Sequence, residues 1–221
     1  MPVFDQLDVY HDPAPRLAAF NMALDETLLE SANRPLIRFY RWDHPALSFG
    51  YFGKFADVAP HAAHRDMVRR WTGGGIVFHG DDLTYALVIP ASLRPLHASS
   101  KSVYAAVHTA VRDALLGRGC RAELATEESR AISEACFTRP VIADVMVDGR
   151  KVAGAAQRKT RAGLLQQGSI QGVDLSHDFA SGLADGLSQH CQERSLDQGL
   201  IERARRIAES KYASATWLRR R

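Results

Sequence analysis

Cysteine is scarce in this sequence of 221 residues: only Cys120, Cys136 and Cys191 occur. Three thiols cannot all pair, and no CxxC spacing is present, so neither a disulfide framework nor a zinc knuckle is indicated and at least one thiol should be free. Long apolar runs are missing as well. The longest nearly unbroken one, Tyr85 to Ala91, falls far short of the roughly 18 residues that a membrane helix needs. The start, Met1-Pro2-Val3-Phe4-Asp5, lacks the basic and apolar regions of an export signal. These absences predict a cytoplasmic protein without membrane association. There is no internal repeat, no linker, no GxGxxG dinucleotide fingerprint and no Walker lysine. Neither sign of charge dominates: the net charge is +3 and the pI near 8.9. That small excess suits an acidic partner, but aromatic and basic residues are not interleaved, so nucleic-acid binding is the weakest reading. Only five of the 28 basic residues are lysine, which makes a lysine inside a motif stand out.

What is present describes a globular protein. A hydrophobic fraction of 46% with 24% charge supports a real core. At about 150 residues per domain the length allows one large domain or two small ones. Asp12-Pro13 offers a cap and first turn for an amphipathic helix over about Arg16 to Ser31, where Leu17, Phe20, Leu24 and Leu28 recur at helical spacing. Leu36 to Trp42 and Ala46 to Tyr51 read as strands joined into a hairpin by Asp43-His44-Pro45. A short helix is predicted over Ala56 to Arg65. Strands follow over Met67 to Trp71, Ile76 to His79 and Thr84 to Ile89. Ser99 or Ser100 can cap a helix carrying Val103, Val107, Val111 and Leu115, with Gly117 and Gly119 as its stop. Asp148-Gly149 between strand-like runs is the strongest hairpin signal in the chain. Leu164 to Val173 reads as a strand and Leu196 to Trp217 as helical. Many short strands joined by turns, with a few long helices, predict an α+β fold whose mixed, largely antiparallel sheet is flanked by helices.

Three constellations carry candidate chemistry. Gly73-Gly74-Gly75, between strand-like runs and next to Arg69 and Arg70, either forms a flexible hairpin tip or lets backbone N–H groups approach a small anion or acyl carbonyl. Cys136 with Lys151 is either a buried thiol and a solvated lysine, or a thiolate whose pKa a nearby ammonium lowers, chemically sufficient to accept an acyl group from a thioester. His61 and His64 stand three apart without a third ligand, so no metal site is predicted. The Arg219-Arg220-Arg221 tail is expected to be a solvated, frayed end.

Taken together, four segments resemble the lipoate-protein ligase A and octanoyltransferase family of the biotin/lipoate ligase superfamily. They are Asn21-Met22-Ala23-Leu24-Asp25-Glu26, Ser48-Phe49-Gly50-Tyr51-Phe52, Arg69-Arg70-x-Thr72-Gly73-Gly74-Gly75-x-Val77-x-His79, and Asp148-Gly149-Arg150-Lys151-Val152-Ala153-Gly154-x-Ala156-Gln157-Arg158. The resemblance implies a biotin/lipoate ligase-like catalytic domain over residues 1–221, with an acyl pocket formed by Arg70, Gly73, Gly74, Gly75, His79, Gly154 and Gln157. It also implies that Lys151 contacts the acyl carbonyl and steadies developing negative charge. Ala135-Cys136-Phe137 and Asp82-Leu83-Thr84-Tyr85 are similar to the cysteine-dependent octanoyltransferases. Their mechanism implies a Cys136 thioester, acyl carrier protein as donor, a lipoyl carrier domain as acceptor, and no metal or nucleotide. A monomer is the default expectation. The length leaves no room for the C-terminal domain that the ATP-dependent ligases usually carry, so the alternatives are an ATP-dependent ligase working with a separately encoded accessory domain and a non-catalytic acyl- or carrier-binding module. Where the family usually carries Gln-His-Gly-Ser, this sequence reads Gln166-Gln167-Gly168-Ser169; glutamine hydrogen-bonds but does not titrate, which moves any acid-base burden to Lys151, His79 or the substrate amine.

Overall fold

A computed structural model describes residues 2–93, 99–127, 140–175 and 178–220. In chain order the elements are β1 (Leu7–His11), α1 (Ala18–Ser31), β2 (Leu36–Tyr40), β3 (Ala46–Phe49), α2 (Phe55–Val58), β4 (Asp66–Arg69), β5 (Val77–His79), β6 (Leu83–Pro90) and α3 (Ser100–Leu116). There follow β7 (Ala122–Leu124), β8 (Val145–Val147), β9 (Arg150–Lys159), β10 (Gly163–Ile170), α4 (Phe179–Leu187), β11 (Cys191–Arg194), α5 (Gln198–Ile207), a π-helical turn (Ala208–Tyr212) and α6 (Ala215–Leu218). Eight strands form one sheet in the order β11-β1-β2-β6-β10-β9-β8-β7, and β4-β3-β5 form a second. Most pairings are antiparallel; β1 runs parallel to β2 and β11, and β3 parallel to β4.

Strand alternation sends each face of the large sheet to a different helical layer. Ile37, Phe39, Tyr85, Leu87 and Ile89 pack with Val107 and Val111 of α3 and Leu183 of α4. Leu36, Tyr40, Ala86, Val88 and Leu165 pack on the other face against α1 and α5. A central strand covered on both faces has no solvent side, which is why β6 is apolar from Tyr85 to its end. Such a strand is buried along its whole length, as β6 is here.

Three local expectations are corrected. The strands around Asp43-His44-Pro45 form no hairpin: β2 pairs with β1 and β6 in the large sheet, while β3 pairs with β4 and β5 in the small one. Turn residues mark a change of direction, and here the chain uses it to cross between sheets. Asp12 does not cap α1. Its carboxylate accepts from Arg38 Nε at 2.9 Å and from Arg16 Nε at 2.9 Å, and the Ala18 N–H donates instead to Asp66 Oδ2 at 2.9 Å, from a residue 48 positions away. Nor is α1 one-sided. Every residue from Asn21 to Leu29 is buried, since β10, β6, β4 and α5 surround the helix. The Ser99 cap and the Asp148-Gly149 turn are both present: Ser99 Oγ accepts from the Ser102 N–H, and Asp148 and Gly149 both take positive φ (48° and 74°), as a type I′ hairpin requires.

Candidate functional site

A cleft of about 520 Å³ of empty space, its open mouth included, separates the two sheets. Ser48, Val77 and His79 line it from the small sheet, and Tyr40, Thr84, Gln167, Gly168 and Ser169 from the large one. Met22, Tyr40 and Trp42, at most 6% exposed, also line it. Gly74, Gly75, Lys151, Ala155 and Ala156 are less buried and form the mouth.

Lys151 stands just past the hairpin turn on β9, with Nζ 2.8 Å from Asp144 Oδ2. Asp144 is fully buried and is itself held by the Tyr104 hydroxyl on Oδ1 and the Val141 N–H on Oδ2 (2.7 Å). The Tyr104 hydroxyl in turn accepts from the Ala155 N–H at 3.2 Å. One carboxylate with three donors therefore fixes where the ammonium lies. Gly154 completes the seat: a Cβ there would stand 2.5 Å from Lys151 Cε and 2.7 Å from Nζ. Glycine at 154 is the space that the lysine arm occupies.

The glycine loop is built around Arg70. Its guanidinium donates to Ser48 Oγ at 2.7 Å, to the Gly73 carbonyl at 3.1 Å and to the Gly75 carbonyl at 2.8 Å. Gly74 takes a positive φ of 82°, and the loop lies so close to Gly50 that a Cβ on Gly50 would overlap the Gly74 carbonyl. The neighbouring arginine, Arg69, donates to the carbonyls of Tyr51, Gly53, Leu218 and Arg220 at 2.6 to 2.9 Å. Both arginines thus hold backbone carbonyls. The C-terminal segment carrying Trp217 to Arg220 is docked by these bonds and is not a frayed end.

His79 lines the cleft wall. Its Nδ1 lies 2.8 Å from Asp82 Oδ2 and its Nε2 2.6 Å from Ser48 Oγ, while its ring stacks on Trp42 at 4.0 Å. Burial pushes the imidazole pKa below its ordinary value against the opposing pull of Asp82. Burial also works to raise the Asp82 carboxyl, but hydrogen bonds from His79, Ser169 and the Gly80 N–H outweigh it and hold that group below its usual range. A neutral ring facing a carboxylate carries its proton on Nδ1, so Nε2 accepts from the Ser48 hydroxyl.

Gln167 occupies the position of the usual histidine and joins three elements. Its Oε1 accepts from Thr72 Oγ at 2.8 Å, and its Nε2 donates to Asp25 Oδ2 at 2.7 Å and approaches Met22 Sδ at 3.3 Å. Asp25, whose pKa burial raises, also accepts from Arg38 and Tyr40, and Arg38 Nη2 donates to Asn21 Oδ1 at 2.6 Å. The Asn21-to-Glu26 segment is therefore a buried polar brace under the cleft. Gln157 does not line the cleft. Strand alternation turns it to the opposite face of β9, where Nε2 donates to the Ser100 carbonyl at 3.0 Å and to Gln166 Oε1 at 2.6 Å. Gly73 reaches the site through its carbonyl on Arg70, while Gly74, Gly75, Arg70, His79, Lys151 and Gly154 all line the cleft. Cys136 lies outside the described residues, as does most of the polar stretch from Ala125 to Glu134. Among the described residues no group of three or more His, Cys, Asp or Glu side chains could hold a metal ion. Two contributors carry no signal in the sequence: Met22, which lines the cleft, and Tyr104, which holds Asp144 behind Lys151; nothing in the spacing of a core helix marks either.

Residues 17–199 match the family described as the lipoyl protein ligase A/B catalytic domain. Octanoyltransferase LipM of Oceanobacillus iheyensis is 35% identical over 83% of this chain and 72% of its own. Octanoyltransferase LipM of Bacillus subtilis is 30% identical over 90% of this chain and 93% of its own. Among solved structures, a putative lipoate protein ligase from T. acidophilum with bound lipoic acid superposes with a TM-score of 0.72 at 21% identity, covering 98% of both chains. A lipoate-protein ligase A bound with ATP gives 0.73 at 20% identity, covering 99% of this chain and 98% of that one. These structural likenesses show the α+β fold predicted from the sequence.

Proposed function

Because the chain belongs to the lipoyl protein ligase A/B catalytic-domain family, we propose that it is an octanoyltransferase of protein lipoylation, moving an octanoyl group from acyl carrier protein to a lysine of a lipoyl carrier domain in the cytoplasm. Residues 1–221 act in this reading as a single catalytic domain. The observation that supports it most directly is the Lys151 ammonium, laid over Gly154 at the cleft mouth and fixed by Asp144. Relatives named as octanoyltransferases, 30 to 35% identical, give the group transferred.

The reaction runs in two halves. The Cys136 thiolate attacks the carbonyl carbon of the octanoyl thioester, and Lys151 donates a hydrogen bond to the oxygen as it gains negative charge. The carbonyl re-forms, the carrier's thiolate leaves and takes a proton from water, and the octanoyl group rests on Cys136 as a thioester. The acceptor lysine, as the free amine, then attacks the same carbonyl. The Cys136 thiolate departs, the amide forms, and the extra proton on nitrogen passes to solvent or to the released thiolate. The acyl tail lies toward Met22, Tyr40 and Trp42. A thioester already carries its activation, so this route uses no nucleotide and no metal.

Mixing the purified protein with octanoyl-acyl carrier protein in the absence of ATP, followed by intact-mass measurement of wild type and Cys136→Ala, tests the reading. An octanoyl adduct that hydroxylamine removes and the variant never forms is the expected result. Lipoyl transfer that requires ATP and survives Cys136→Ala would replace it with the ligase reaction. Carrier binding without turnover would reduce the protein to a binding module.

A further inference from the structure

Beside the cleft mouth lies a surface on which cations rest against aromatic faces. Ala156 lines the mouth, and Arg158, two residues along the same face of β9, places its guanidinium 4.6 Å from the Tyr51 ring and 4.7 Å from the Trp71 ring. Arg220 stands 4.4 Å from the same Tyr51 ring, and Arg219 lies 4.9 Å from the Phe55 ring. Among the described residues, none of these three arginines has a carboxylate oxygen within 4.0 Å. Phe52, edge-on to Tyr51, is 85% exposed. An aromatic floor keeps an arginine extended and weakly hydrated, which suits it to meet an anion across an interface. Lys211 extends the patch over Trp71, and there Glu26 neutralises it.

We infer that this patch of Phe52, Arg158, Arg219 and Arg220 is the docking surface for the acidic acyl-donor carrier, with Phe52 as its apolar anchor. The inference rests on the octanoyltransferase reading. Charge decides between donor and acceptor. A carrier-bound acyl group arrives on an arm attached through a phosphodiester, from an acidic protein surface, and both match uncompensated arginines at the rim. The acceptor presents a lysine, whose own charge these arginines oppose.

The test is a titration of the holo donor carrier, without an acyl group, against wild type and R219E/R220E at low and high salt. The backbone carbonyl of Arg220, which holds Arg69, is unaffected by the substitution. Wild type is expected to bind with a strong salt dependence, and the variant to bind at least about tenfold more weakly with that dependence lost. Absence of wild-type binding, or equal affinity of the two proteins, overturns the inference. A second arm compares acyl transfer from octanoyl-carrier and from octanoyl-N-acetylcysteamine, which has neither protein nor phosphate. The variant should lose kcat/KM with the carrier alone. Equal loss with both donors, or a rise in KM for the acceptor alone, also overturns it. A wild-type protein that binds the carrier yet forms no acyl-enzyme defeats the transferase reading and leaves the docking surface in place.

Discussion

Gly154→Ala separates the seat of Lys151 from the stability of the fold. The new Cβ would lie 2.5 Å from Lys151 Cε, 2.7 Å from Nζ and 3.3 Å from Asp144 Oδ1. Unstrained contacts between such atoms begin near about 3.5 Å, so the ammonium must move by about 1 Å. The atoms in the way are the end of a flexible side chain, and Gly154 keeps regular pairing with Ser169 of β10. Alanine also reduces the freedom of the unfolded chain by about 0.4 to 1 kcal/mol relative to glycine, which offsets part of any packing cost. The thermal midpoint should therefore shift by only a few degrees. A group misplaced by about 1 Å loses roughly 100-fold in rate. The assay is the rate of octanoyl transfer at saturating donor, beside a thermal melt followed by circular dichroism. Transfer within about threefold of wild type by a normally folded variant would refute the argument that the glycine exists to seat the lysine; a rate of roughly 1% with a near-native melt supports it.

Three further outcomes follow from the same geometry. Asp144→Asn keeps the shape but removes the charge opposite Lys151, so it should cost about 3 kcal/mol of stability as the nearly buried ammonium loses its carboxylate. It should also lower kcat more than it raises the donor KM; an unchanged kcat would show that the pair plays no part in turnover. His108 is fully buried, and burial pushes its pKa from 6.5 to about 4. The unfolded chain then binds a proton that the folded one refuses, so stability is complete above about pH 6.5 and falls by about 3 kcal/mol as the pH drops toward 4. His108→Gln should flatten that acid limb in denaturant titrations, and an identical limb would assign the loss to other groups. Met22→Ala removes three heavy atoms from the cleft lining and should move the preferred thioester from octanoyl toward chains about two carbons longer; an unchanged chain-length profile would place the tail elsewhere.

Local chemistry was legible where the residues that decide it are neighbours in sequence. Ser99 needs only the next turn to cap α3, and Asp148-Gly149 needs only itself to reverse the chain. The same logic failed at Asp12 and at the supposed β2–β3 hairpin. Asp12 is drawn away by the buried Arg38, and β2 finds its partners in β1 and β6. Strand β11, Cys191–Arg194, carries almost no apolar residue and is held by parallel pairing with β1 at the other end of the chain, so no local pattern announces it. The seat of Lys151 was half visible. Lysine and glycine stand in the motif, but Tyr104, 40 positions before Asp144, and the place of Met22 in the cleft wall do not show there.

By itself the sequence determined the family, the α+β class and the candidate acyl chemistry, because ordered motifs and alternation survive without coordinates. Tertiary structure alone decided which members of those motifs meet. It turned Gln157 away from the cleft by the two-residue period of a strand, and it engaged Arg69 and Arg70 with backbone carbonyls that buried loops must satisfy. It also brought residues from both sheets and α1 around one cleft. Such contacts join residues distant in the chain, and their energies arise only once the intervening loops have closed.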